Sequence, residues 1–141
     1  MIFIQGGISL SNYLNVLSIG FDKNDNSAME RSFSDDGMLR FADSVNNYQE
    51  AIEKFHSLSP NVVVINIRDN PAEGITAIRS IYDVSNKNNP PLILVAYYTE
   101  ETNLLNDPIA KELSSFCYFY KKYGNGHSIE DIIEGAYNIA V

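Results

Sequence analysis

The chain predicts an α/β domain built on a doubly wound, five-stranded parallel sheet with helices on both faces. Three observations carry that expectation. Val62–Ile67 is an apolar, β-branched run broken only by Asn66, the composition of a strand buried on both faces. Comparable apolar runs alternate with stretches of helical spacing along the chain, and strand–helix alternation argues a parallel sheet covered by helices. Polar clusters rich in Asn, Asp, Gly and Pro separate these runs, as turns do. At 141 residues, 45% hydrophobic and 20% charged, the chain suits one soluble domain with a substantial core.

Composition narrows the function. A formal charge of −8 argues against a broad nucleic-acid surface or an anionic membrane as partner. A single cysteine, Cys117, excludes an internal disulfide and a cysteine-based zinc site, and suits a reducing compartment. No apolar run reaches the ~18–20 residues a spanning helix needs, and the N-terminus lacks a basic start and long apolar stretch. The expectation is a cytoplasmic soluble protein without membrane contact.

The elements follow in order. Residues 1–13 read as an N-terminal extension before a domain over 14–141. Met1–Gln5 and Ile8–Asn12 alternate around Gly6-Gly7 as a hairpin would, while Leu10, Tyr13, Leu14 and Leu17 also recur at helical spacing, so an extra N-terminal strand stays open. Leu14–Gly20 is the preferred first strand. Ser27 with Glu30 is a capping box for a short first helix carrying Met29 and Phe33 on one face and ended by Asp35-Asp36-Gly37. Met38–Ala42 is the second strand, and a helix from about Asn47 carries Tyr48, Ala51, Ile52 and Phe55 inward. After the central strand, a third helix starts near Glu73, with Ile75, Ile78, Ile81 and Tyr82 inward. Leu92–Tyr97 is the fourth strand. A short helix from Pro108 to Leu113, capped by Asp107, and a fifth strand over Ser115–Tyr120 follow. The last helix starts at Ser128, with Asp131 in its first turn and Ile129, Ile132, Ile133, Ala136 and Tyr137 inward.

The spacing Pro60-Asn-Val-Val-Val-Ile-Asn66, with Gly74 eight residues on, resembles the central strand and loop of the receiver domains of bacterial response regulators. Gln49–Phe55, Pro91–Ala96 and Tyr118-Phe-Tyr-Lys121 fall at the intervals of that family. The resemblance covers Leu14 to the C-terminus and implies a flavodoxin-like fold in two-component signalling. It also implies a chemistry: paired carboxylates hold magnesium, an aspartate attacks a phosphoryl donor, and a hydroxyl and a lysine hold the transferred group.

The sequence departs from that pattern. Asn66 stands at the attacked position, and an amide offers no anionic oxygen. The acidic pair falls at Phe21-Asp22, where Phe21 cannot ligate a cation, so magnesium binding is not expected and no cofactor is assigned. Ala96 takes the hydroxyl position. Lys121 remains, followed by Lys122 rather than proline, and Tyr118 takes the switch-aromatic position. Each residue also has a purely structural reading: Asn66 as a loop bridge, Ala96 and Tyr118 as packing, Lys121 as an ion-pair partner of Asp22.

The resulting expectation is a degenerate, or pseudo-, receiver that is not an enzyme. It would act by phosphorylation-independent protein–protein interaction with a signalling or regulatory protein, a homodimer being among the contacts allowed. By resemblance, the partner surface is that of the fourth helix, fifth strand and fifth helix, with Tyr97, Tyr98, Tyr118 and Tyr120. The competing readings are a displaced phosphoacceptor at Asp69 or Asp22, the receiver-like part of a transcriptional regulator, and a small-ligand sensor. His56 and His127 lack metal-ligand spacing, and Ser27, Ser128 and Thr99 read as caps rather than nucleophiles. No P-loop, Gly-x-Ser-x-Gly or dinucleotide fingerprint is present.

Overall fold

A computed structural model describes residues 13–68, 70–85, 92–98, 108–115, 117–121 and 128–140. The N-terminal extension, apart from Tyr13, lies outside them, and so do Asp69, Thr99, Asp107, Lys122 and His127. The strands are β1 (Leu14–Ile19), β2 (Leu39–Val45), β3 (Val62–Asn66), β4 (Ile93–Tyr98) and β5 (Tyr118–Lys121). The helices are α1 (Lys23–Ser34), α2 (Ala51–Leu58), α3 (Pro71–Ser85), α4 (Pro108–Leu113) and α5 (Ile129–Ala140).

All four strand pairings are parallel, in the order β2-β1-β3-β4-β5, so the chain reverses its direction of winding after β2. Alternate residues of each strand supply two cores. Leu17, Ile19, Val63, Ile65, Leu94 and Ala96 pack under α2, α3 and α4 with Phe55, Ile78 and Leu113. Val16, Val62, Val64, Val95 and Tyr97 pack under α1 and α5 with Phe33 and Ile133. The unbroken apolar runs of β3 and β4 follow from this two-sided burial. Each fully buried Leu, Ile, Val or Phe contributes about 1.5–3 kcal/mol.

Several boundaries differ from the sequence expectation. α1 begins at Lys23 with Asp22 as its cap, and Ser27 lies inside it rather than at its start. Asp22 accepts from the Asp25 N–H at 2.7 Å. The Asn-rich composition suggested a loop, but Asn26 finds tertiary partners: it accepts from the Ser18 hydroxyl at 2.6 Å and donates to the Phe21 carbonyl at 3.3 Å. A single 3-10 turn over Tyr48–Glu50, capped by Asn47, precedes α2. α3 starts at Pro71, two residues before the expected Glu73, where proline's missing N–H costs nothing. Asn70 caps it, accepting from the Glu73 N–H at 3.2 Å. β5 starts at Tyr118 because Ser114, Ser115 and Cys117 still donate main-chain bonds into the last turn of α4. α5 has the expected start: Ser128 and Asp131 cap it reciprocally, at 3.1 and 3.3 Å.

Candidate functional site

Asn66 closes β3 at the carboxyl end of the sheet, the end where open α/β sheets place ligands. Its side chain is 1% exposed and bonded at both ends. The amide nitrogen donates to the Gly20 carbonyl at 3.0 Å, and the amide oxygen accepts from the Arg68 N–H at 2.9 Å. The side chain thus ties the end of β1 to the first residues of the β3–α3 loop. An amide does this at any pH, because it carries a donor and an acceptor on one planar group.

The main chain at the same residue is held as well. The Tyr48 hydroxyl donates to the Asn66 carbonyl oxygen. Ile67 N–H donates to the Tyr97 carbonyl at 2.9 Å, continuing the ladder to β4. Tyr48 also packs against Gly20, which adopts φ +82°, a conformation that side-chain-bearing residues rarely take. A Cβ at Gly20 would lie 3.4 Å from the Tyr48 ring and 3.6 Å from the Asn66 Cβ. Sequence reading assigned Tyr48 to the helix face packing on the core and missed its contact with Asn66. The positional signal was Gly20 itself, a glycine at the end of the first strand.

The other sequence-predicted residues fall in different places. Asp22 is exposed and its carboxylate caps α1, while Gly20 is the residue of that loop that Asn66 reaches. Phe21 is buried edge-on against Tyr97, with ring centroids 5.1 Å apart. Ala96 is fully buried, in register with Ile65 and Phe119, on the side of the sheet that carries α3. Lys121 ends β5 in register with Tyr98. Among the described residues, no three His, Cys, Asp or Glu side chains group where a metal could sit.

The four tyrosines do not form one surface, which corrects the sequence expectation. Tyr97 is 7% exposed and belongs to the core under α1 and α5. Tyr98 points to the opposite side of the sheet, edge-on to Phe119 at 6.2 Å. Strand alternation forces this split. Tyr118, at 39% exposed, is the outward aromatic of β5, and Tyr120 is half-buried beside Tyr97.

Strand order, helix placement and the loop after the central strand define the receiver fold. Solved structures similar to the chain include response-regulator receiver domains. The chain is similar to the signal receiver domain of a modulated diguanylate cyclase from Desulfovibrio desulfuricans: 16% identity, TM-score 0.68, covering 91% of this chain and 96% of that one. It is also similar to a CheY-like receiver domain from Methylobacillus flagellatus, at 16% identity and TM-score 0.67, covering 87% and 98%. A third similar structure, from Methanospirillum hungatei, has 19% identity and TM-score 0.62, covering 89% and 93%. No protein-family model and no curated protein matches the sequence. No described helix is long and apolar enough to cross a membrane.

Proposed function

We propose that this domain is a pseudo-receiver, a regulatory module that acts in signal transduction through protein–protein contact without phosphorylation. The observation that carries the reading is the amide of Asn66, bonded at both ends where a receiver needs a free carboxylate. Its surroundings support the same reading. Gly20 brings no side chain, Phe21 is apolar and buried, Ala96 has no hydroxyl, and the Asp22 carboxylate is engaged as a helix cap. Magnesium prefers several carboxylate or water oxygens in octahedral array, and these residues do not fit it. Tyr118 is the aromatic through which the β5 edge would meet a partner, a signalling or regulatory protein or a second copy of the chain.

The test is to incubate the full chain with acetyl phosphate and magnesium and read the intact mass. The expected result is no phosphoryl gain. A gain abolished by Asp22→Ala or Asp69→Ala would replace this reading with that of a displaced phosphoacceptor.

A further inference from the structure

β2 is an outer strand of the sheet, and among the described residues no strand pairs with its free side. That side is closed over its carboxyl half. Ala42 bulges from the ladder between Phe41 and Asp43. The Asp43 carboxylate accepts from the Ser44 N–H at 2.8 Å and pairs with Lys54 at 2.8 Å. A bulge and edge charges both block strand addition. The amino half has neither. Leu14 N–H donates to the Met38 carbonyl at 2.8 Å, which sets Arg40 facing β1 and turns the main-chain groups of Leu39 and Phe41 to the free side. The Phe41 ring, 6.4 Å from that of Phe33, is only half-buried.

The chain itself carries a stretch of matching pattern. Met1–Gln5 reads Met-Ile-Phe-Ile-Gln, with β-branched Ile2 and Ile4 two positions apart, as Leu39 and Phe41 are. Tyr13 marks where that extension joins the fold. Its ring lies 5.3 Å from the Arg40 guanidinium, beside the start of β2. A segment that descends the free side of β2 and enters β1 at this end runs antiparallel to β2. The crossing to β1 is two strand spacings, about 10 Å. Residues Gln5–Asn12 span it with room to spare, since an extended chain gains about 3.3 Å per residue.

We propose that Met1–Gln5 adds to the open half of β2 as a sixth, antiparallel strand of the same chain. Ile4 stands opposite Leu39 and Ile2 opposite Phe41, exchanging main-chain hydrogen bonds and covering the Phe41 ring. Phe3 lies on the other side of the sheet, opposite Arg40, whose guanidinium it flanks together with Tyr13. Placed there, the extension closes the β2 edge to a strand from another chain. This edge is the one opposite β5 and Tyr118, and the pairing uses neither Asn66 nor Gly20. Its test and that of the pseudo-receiver reading succeed or fail separately.

The test is amide hydrogen exchange on the full chain, followed by NMR. The expected result is that the Phe41 N–H exchanges about a hundredfold slower than an unstructured amide. The Arg40 N–H, which faces β1, is the internal reference. Phe3 and Arg40 should also show the strong Hα–Hα NOE of a non-hydrogen-bonded antiparallel pair. Ile2→Pro combined with Ile4→Pro removes two donors from the extension. It should free the Phe41 N–H while Arg40 stays protected, which shows that the domain remains folded. The proposal is overturned if Phe41 exchanges freely in the full chain, if the double-proline variant leaves its protection unchanged, or if the NOE is absent. Protection that falls on dilution also overturns it, by assigning the edge to a second copy of the chain.

Discussion

The Tyr48 hydroxyl donates to the main-chain carbonyl of Asn66, so the turn before α2 holds down the end of the central strand. The same ring packs where a side chain on Gly20 would project. A phenol and a glycine therefore pack around Asn66 at the carboxyl ends of β1 and β3. The corner is closed by packing and hydrogen bonds.

Tyr48→Phe should lower stability by about 1 kcal/mol, the net worth of one hydrogen bond to a buried carbonyl, because the ring still packs. Tyr48→Ala also removes that packing and should cost about 3 kcal/mol. Urea unfolding monitored by circular dichroism measures both. A Tyr48→Phe variant as stable as wild type would deny the hydroxyl its separate role.

Asn66→Asp should not restore phosphorylation, and it should destabilise the fold by about 1–3 kcal/mol at neutral pH. The new carboxylate would face the Gly20 carbonyl without a proton to donate. Burial would raise its pKa, so the protonated form fits better and the loss should deepen as pH rises. Melts of wild type and variant across pH test the sign.

A second pH effect belongs to Glu134 on α5. A hydrogen bond with Asp36 at the α1–β2 turn, partial burial, and the charges of Asp36, Asp131 and Glu130 push its carboxyl from 4.5 up to about 7. The folded chain thus keeps a proton that the unfolded chain has lost. Its stabilising contribution is complete below 4.5 and is lost as pH rises through about 7. Glu134→Gln should flatten the stability profile over that interval and raise stability at its upper end. Asp43 is lowered from 3.8, chiefly by its hydrogen bond to Lys54, so its contribution is lost only at more acid pH and does not overlap.

Gly74 sits where α3 rests on the end of β3, and a Cβ there would lie 2.6 Å from the Ile67 Cγ2. Gly74→Ala should therefore destabilise by about 1–3 kcal/mol through overpacking, despite alanine's better helix propensity. Adding Ile67→Leu, which lacks the Cγ2 methyl, should recover part of the loss in a double-mutant cycle. Additive losses would show that the contact is not the cause.

Much of the architecture was legible because its signals are local. The β-branched runs of β3 and β4 marked buried strands. Ser128 with Asp131 marked the start of α5, Pro108 that of α4, and the spacing of Met29 and Phe33 marked the inner face of α1. Misreadings arose where a distant partner changed the local balance. Asn26 became helical because it could bond Ser18, and Asp22 rather than Ser27 took the cap. Tyr97 and Tyr98 look equivalent in sequence, yet strand alternation places them in opposite cores.

The sequence by itself determined that the chain is a parallel α/β domain, and that position 66 carries an amide unable to serve as a phosphoacceptor. Composition and periodicity suffice for that, because burial on two faces and the chemistry of a side chain are properties of the residues. Only the tertiary structure decided what the amide does instead. The distant partners of residue 66, Gly20 for the side-chain amide and Tyr48 for the main-chain carbonyl, are 46 and 18 positions away, and no local pattern specifies which distant groups will meet there.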